Sequence, residues 1–312
     1  MFKKIVLLLI VISLTSCKST PNLASIRSAE SLIKQIKSDN PDVVSIANQA
    51  VKTNKLIQQD INNIKALLDE LSKHIHNVWG EDKPQLPSNK KLVKYTNNYK
   101  ARAIVDFEKG RILVETLADS TKAKTLSNLQ NAIVTTLLTT ADPSKTDIFS
   151  SDAPQLSGKP YLYQQVIDQD KKPIQYQWRA NRFSKYLTEI RLQKYTKNRK
   201  QIYAVSINMV EQHQHLREQQ YSQHVLASAK RYQISPQLIY GIIETESSFN
   251  PFAVSSANAY GLMQVVPKTA GADVYQRIKK RTGQPSKQQL FDPAFNIDIG
   301  AAYLNILNNT YL

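Results

Sequence analysis

The chain has 312 residues, 41 Lys+Arg against 25 Asp+Glu, 41% hydrophobic residues, one cysteine and 8 glycines, the composition of a folded, strongly basic chain of one or two domains. A single cysteine excludes an internal disulfide, a CxxC redox pair and multi-cysteine zinc or iron–sulfur sites. No G-x-G-x-x-G or G-x-x-x-x-G-K-[ST] pattern occurs, so a nucleotide-phosphate cradle has no support, and neither a cofactor nor a metal is expected.

At the N-terminus, Lys3 and Lys4 precede an apolar run from Ile5 to Leu14, too short to span a bilayer comfortably and read as an export signal over residues 1–16. Leu14-Thr15-Ser16-Cys17 resembles a bacterial lipobox. That resemblance implies a diacylglycerol on the Cys17 thiol and a mature chain starting there, and the chain's one cysteine stands where lipidation needs it. Two or three acyl chains at about 0.8 kcal/mol per buried CH₂ hold a protein stably on a membrane. Lys18 stands where an aspartate would favour inner-membrane retention, which implies an outer-membrane lipoprotein facing the periplasm. A chain this basic seeks polyanions. Outside the cytoplasm these are lipid headgroups and carboxylate-rich wall peptides, and nucleic acid is not an expected partner.

Residues 17–41 are polar and read as a tether. From Ile57 the apolar residues Ile61, Ile64, Leu68, Leu71, Ile75 and Val78 recur at alternating spacings of four and three up to Gly80, predicting one amphipathic helix. Without a clear charge pattern beside the stripe, packing against the chain's own domain is favoured over a coiled-coil dimer, and a monomer is expected. Ala103, Val105 and Phe107 alternate, Glu108-Lys109-Gly110 turns, and Ile112, Val114 and Thr116 alternate back, predicting a β-hairpin. A helix from Thr121 to Thr139 follows, with Leu126, Leu129, Ile133 and Leu137 on one face. Strands are predicted at Tyr161–Val166, Ile174–Trp178 and Ile202–Val210, the last with Tyr203, Val205, Ile207 and Met209 on one side. The basic stretch Lys194, Lys197, Arg199 and Lys200 reads as a solvated loop or a wall-docking patch. The fold class is thus α+β: an α+β domain over residues 42–210, then an all-α domain over 211–312.

In the second domain Ser235-Pro236 starts a helix as N-cap and first residue, with Leu238, Ile239, Ile242 and Ile243 as its apolar stripe. Glu246 falls on that stripe, four residues after Ile242, whereas Glu244 lies about 200° away. Desolvation and the negative helix end both disfavour a carboxylate at Glu246, keeping it protonated as a general acid requires. His213, His215 and His224, like His74 and His76, have spacings that do not converge on a metal.

The order Glu246-Ser247-Ser248-Phe249-Asn250-Pro251, Ala253-Val254-Ser255, Ala259-Tyr260-Gly261-Leu262-Met263-Gln264, Leu290-Phe291-Asp292-Pro293, Asn296-Ile297, Gly300 and Tyr303-Leu304 resembles the soluble lytic transglycosylase-like domain of the lysozyme superfamily. The lipobox, the Val93–Leu117 region, Asp142-Pro143-Ser144 and Ile207-Asn208-Met209-Val210 extend the likeness to membrane-bound lytic murein transglycosylases of the C type. The resemblance implies cleavage of peptidoglycan glycan strands between N-acetylmuramic acid and N-acetylglucosamine, with Glu246 as acid and then base and a 1,6-anhydromuramoyl end as product. It also implies that Ser255, Tyr260, Met263 and Gln264 bind the sugar. Family members continue into a segment with an Ala-Tyr-Asn motif, so the catalytic domain reads as truncated at Leu312. Two rival readings stand beside this one: a water-using muramidase with Asp273, Asp292 or Asp298 as second carboxylate, and a catalytically impaired wall-binding lipoprotein.

Overall fold

The computed structural model describes residues 66–80, 84–154, 156 and 158–311. The predicted signal, Cys17, the tether and the helix start at Ile57 lie outside these residues. Residues 66–79 are helical (α1) and end at Gly80, whose φ of +66° suits glycine. Five strands follow with two helices between them: β1 (Lys91–Thr96), β2 (Ala101–Asp106), β3 (Arg111–Leu117), α2 (Lys122–Leu138), α3 (Gln177–Ile190), β4 (Gln193–Lys197) and β5 (Lys200–Asn208). They form one antiparallel sheet in the order β1-β2-β3-β5-β4.

Alternation gives this sheet two apolar faces. Leu92, Ala103, Val105, Ile112, Val114, Val205 and Ile207 meet Leu129, Ile133 and Leu137 of α2 in the main core. Val93, Tyr95, Leu117 and Ile202 meet Leu71, Ile75 and Trp79 of α1 on the other side, so the described part of α1 packs against its own domain. On that side Arg102 Nε donates to Glu115 Oε2 at 2.5 Å, the pair is buried, and the guanidinium sits 4.0 Å from the Trp79 ring centre. The helix predicted at Thr121–Thr139 is α2, with the Thr121 hydroxyl accepting from the Lys124 N–H as N-cap.

Two of the three strands expected beyond the hairpin are absent, and β5 is the one that forms. Tyr161–Val166 is a run of turns in which Tyr163 N–H donates to the Pro160 carbonyl and Val166 N–H to the Leu162 carbonyl. Its buried residues are Tyr161, Leu162, Gln165 and Val166, the spacing of a helical turn rather than of a strand. Ile174–Trp178 enters α3, whose buried Ala180, Phe183, Ser184, Leu187 and Thr188 carry the 3.6-residue period. Nor are Lys194 to Lys200 a loop. They form the β4–β5 hairpin, turning through Asn198 and Arg199 at φ +50° and +60°, and β4 is an exposed, Lys-bearing edge strand. β1 escapes the alternation test because both its faces are covered. Its inward Lys94 donates to the Asp147 and Ser150 carbonyls at 2.7 and 2.8 Å, and burial lowers its pKa to about 8.

Beyond residue 210 the described chain is helical: α4 (His213–Tyr232), α5 (Pro236–Ser247), a short π turn at Pro267–Gly271, α6 (Ala272–Arg277), α7 (Lys287–Leu290) and α8 (Pro293–Tyr311). α4 packs on α5 and α8. The main hydrophobic core is continuous from the sheet through these helices, so the two units share one interior.

Candidate active site

Ser235 precedes α5, but its hydroxyl donates to Gln237 Oε1 at 2.8 Å and caps no backbone N–H. The apolar stripe is narrower than its sequence: Leu238 is half exposed, and the fully buried row is Ile239, Ile243 and Ser247, each four residues apart. Ile242 and Glu246 form the adjoining row, about 100° back around the helix, and open onto a cleft of about 410 Å³. Ser255, Met263, Gln264, Gly300 and Tyr303 contribute to one side of it. Leu86, Pro87, Ser88 and Asn89, from the connection between α1 and β1, line it from the α+β unit, together with Leu68.

Burial pushes the Glu246 carboxyl above the usual glutamate range, because an ion loses hydration there and gains no countercharge. Among the described residues Glu246 is the only carboxyl lining the cleft. Glu244 points to solvent and accepts from Gln214 Nε2 at 2.6 Å. The candidate second carboxylates are elsewhere. Asp292 accepts from the Phe295 N–H at 2.7 Å at the start of α8. Asp298 binds Arg231 Nη1, Tyr232 Oη and Lys279 Nζ at 2.6, 2.9 and 2.6 Å; its burial alone would raise its pKa, but these hydrogen bonds hold it below the usual range. Asp273 lies on α6 and does not line the cleft. No group of three or more His, Cys, Asp or Glu among the described residues is placed to hold a metal ion.

The chain leaves Glu246 through a strained turn, with Ser248 and Phe249 at φ +49° and +58°, a region that costs a non-glycine residue about 1–3 kcal/mol. Surrounding bonds hold it there. Ser247 Oγ lies 2.9 Å from the Ile243 carbonyl and 2.8 Å from the Leu262 carbonyl. Arg217 of α4, almost fully buried, donates to the Ser248 carbonyl at 3.3 Å, to Gln165 Oε1 at 2.8 Å and to the Phe107 carbonyl at 2.7 Å. One guanidinium thereby ties the turn after Glu246 to the sheet. Desolvation lowers its pKa to about 10, so it stays charged at neutral pH.

Of the four expected sugar contacts, Ser255, Met263 and Gln264 line the cleft and Tyr260 does not. Tyr260 is buried, its ring edge-on to Phe291 and its hydroxyl donating to Asn258 Oδ1 at 2.6 Å. Ser255 also serves its own turn, its carbonyl accepting from the Asn258 N–H at 3.0 Å. Gln264, at φ +46°, donates through Nε2 to the Gly261 carbonyl at 2.9 Å. Its Oε1 is buried without a donor among the described groups. Met263 reaches the cleft because Gly300 of α8 has no side chain: a Cβ there would overlap the Met263 sulfur.

Two residues at the site had no assigned role in the sequence. Asn296, buried at the start of α8, accepts from the Met263 N–H at 2.8 Å and donates to the Tyr260 and Leu290 carbonyls, each at 2.8 Å. Its sequence signal is its place in the Asn296-Ile297 motif, which gives it no stated role, and an amide on the apolar side of a helix. Asn89 Nδ2 donates to the Glu246 carbonyl at 3.0 Å, and Pro87-Ser88-Asn89 reads as an ordinary turn until the fold brings it to α5.

Comparison with known proteins gives the site its context. The family model described as membrane-bound lytic murein transglycosylase C, N-terminal domain, matches residues 57–220, and the transglycosylase SLT domain model matches residues 223–312. A protein of Yersinia enterocolitica named membrane-bound lytic murein transglycosylase C is 43% identical over 266 residues, 85% of this chain and 73% of that protein. One of the same name from Yersinia pestis is 42% identical over 260 residues, 83% of this chain and 72% of its own length. With matches in register across both the α+β unit and the helical unit that carries Glu246, the chain belongs to the membrane-bound lytic murein transglycosylase C family.

Proposed function

We propose that this chain degrades murein by non-hydrolytic cleavage of the β-1,4 bond between N-acetylmuramic acid and N-acetylglucosamine. Protonated Glu246 gives its proton to the glycosidic oxygen as the bond from that oxygen to muramoyl C1 breaks. The resulting carboxylate takes the proton of the muramoyl C6 hydroxyl as that oxygen bonds to C1. Glu246 ends protonated, and the products are a 1,6-anhydromuramoyl end and a free N-acetylglucosamine 4-hydroxyl, with no water consumed.

The observation that carries this reading is that one carboxyl among the described residues lines the cleft and that its pKa is raised. Glycosidases that use water or form a covalent intermediate flank the bond with two carboxyl groups, whereas an internal hydroxyl nucleophile needs one group that is first acid and then base. Ser255, Gln264 and Met263 are the proposed sugar contacts. A Gln264 amide suits an acetamido group or a hydroxyl, and Met263 suits a sugar face. Tyr260 supports them from behind, fixing the turn through its backbone.

We place the division of labour at residue 210, with the α+β unit walling the cleft and the helical unit carrying the acid. Cys17 carries the lipid that holds the chain to the outer membrane on its periplasmic side. The test is mass spectrometry of products from isolated murein sacculi. Anhydromuropeptides are expected. Reducing muramic-acid ends would establish a hydrolase instead, and binding to sacculi without cleavage would overturn the enzymatic reading.

A further inference from the structure

A second surface has chemistry unrelated to the cleft. The chain contains two tryptophans. Trp79 is buried against the sheet at 1% exposure, whereas Trp178, in the first turn of α3, is 56% exposed. Beside it in sequence Tyr176 is 60% exposed, and Ile167, on the turn leading to α3, is 40% exposed. The turn is fixed to the helix. Asp168, buried, accepts from the Asp170 and Lys172 N–H groups at 2.9 and 3.0 Å and pairs with Arg179 at 2.5 Å. The Arg179 and Arg182 guanidinium carbons lie 4.5 and 5.9 Å from the Trp178 ring centre.

The patch is also cationic. Both nearby carboxylates are already engaged, Asp168 by Arg179 and Asp170 by Arg182. That leaves Lys171 and Lys172, both exposed, as charges without an ion-pair partner among the described residues, on the turn that precedes Tyr176 and Trp178. An exposed indole and phenol with an aliphatic side chain, rimmed by cations on a rigid turn, combine the two properties that interfacial binding uses: rings that prefer the headgroup level and charges that attract an anionic surface.

We propose that the entrance to α3, centred on Trp178, Tyr176 and Ile167, docks on the surface of a bilayer containing anionic phospholipid. Docking there fixes the orientation of the α+β unit on the membrane. The proposal does not depend on the chemistry assigned to the cleft.

Because Trp79 is buried, Trp178 itself is the probe. The full chain is mixed with vesicles of phosphatidylethanolamine and phosphatidylglycerol that include a phospholipid brominated on its acyl chains, and tryptophan emission is recorded. The expected result is a blue shift and bromine quenching on anionic vesicles, both weakened by added salt and by the double change Lys171→Glu, Lys172→Glu, and both lost in Trp178→Phe. Solvent-like, unquenched emission from chain that floats with the vesicles would mean tethering without docking and would overturn the proposal. So would a shift produced by soluble glycan strands in the absence of vesicles, which would make the patch a sugar platform.

Discussion

Asn89 Nδ2 donates to the carbonyl of Glu246 at 3.0 Å, across 157 residues of sequence. The last carbonyls of a helix lack intrahelical partners, and here a side chain of the α+β unit supplies one for the very residue that carries the acid. Asn250 Nδ2 returns the contact by donating to the Asn89 carbonyl at 2.9 Å. Asn89→Ala is expected to cost about 1–2 kcal/mol of stability and to lower kcat about tenfold, the equivalent of about 1.4 kcal/mol of lost positioning. Thermal melting and rates on isolated sacculi check both. An unchanged kcat would show that Glu246 is positioned by α5 alone.

Glu246→Gln should reduce turnover by at least about 10²-fold, the low end of a general acid's contribution, while murein binding is retained. The pH dependence follows from the sign of the shift. A carboxyl whose pKa is raised by folding favours its neutral form in the native state, so stability is lost as pH rises from the unfolded value through the folded one. The glutamine variant lacks that loss and should melt higher than the parent at neutral pH. The parent's rate should decline on the alkaline side of a pKa above the ordinary glutamate range. A melting temperature that falls in the variant would contradict the desolvation argument.

Gly300→Ala sets two effects against each other. In a helix interior the change favours folding by about 0.5–1 kcal/mol, but the new methyl overlaps the Met263 side chain, and overpacking costs about 1–3 kcal/mol. The second wins if Met263 cannot move, and the direction open to it is the cleft. Lower stability together with a higher KM for glycan strands is the expected pair, measured by denaturant titration and steady-state kinetics.

Asn296→Leu keeps the branched shape of the side chain and removes three hydrogen bonds at once. The Met263 N–H and the Tyr260 and Leu290 carbonyls are left without that partner inside the core. At about 1–3 kcal/mol per buried unsatisfied group, a loss of at least about 3 kcal/mol is expected, and denaturant unfolding should show it.

His213 packs its ring over Gly110, with Nδ1 3.0 Å from Arg217 Nη1. Burial first, and the Arg217 charge second, hold its pKa below the ordinary value. The fold therefore favours the neutral imidazole, and the stability tied to it is present above roughly pH 6.5, the unfolded histidine value, and lost as pH falls through the folded one. His213→Gln keeps an acceptor for Arg217 and should flatten the stability profile as pH falls below about 6.5. An unchanged acid limb would place the sensitive group elsewhere.

The amino-acid sequence by itself determined the elements whose burial is one-sided or strictly periodic. The β2–β3 hairpin, α2, β5 and α5 all announce themselves this way: the strands are covered on both faces, but the large apolar residues of one face still recur with a period of 2, and the helices keep a period near 3.6. It also placed Glu246 and Glu244 on different sides of α5, a matter of helix geometry alone. Where apolar and polar residues mix on both buried faces, the pattern misleads. β1 is covered on both faces and hides a lysine, the turns at residues 160–166 bury residues in pairs, and α3 begins with exposed aromatics that look like strand formers. Tertiary structure alone decided that Tyr260 faces away from the cleft, that Asp298 is bound elsewhere, and that Asn89 of the α+β unit and Arg217 of α4 hold the end of α5. The physical reason is that these are hydrogen bonds and countercharges between segments far apart in the chain. Local pattern can report which face of an element is dry, but not which group will stand opposite it.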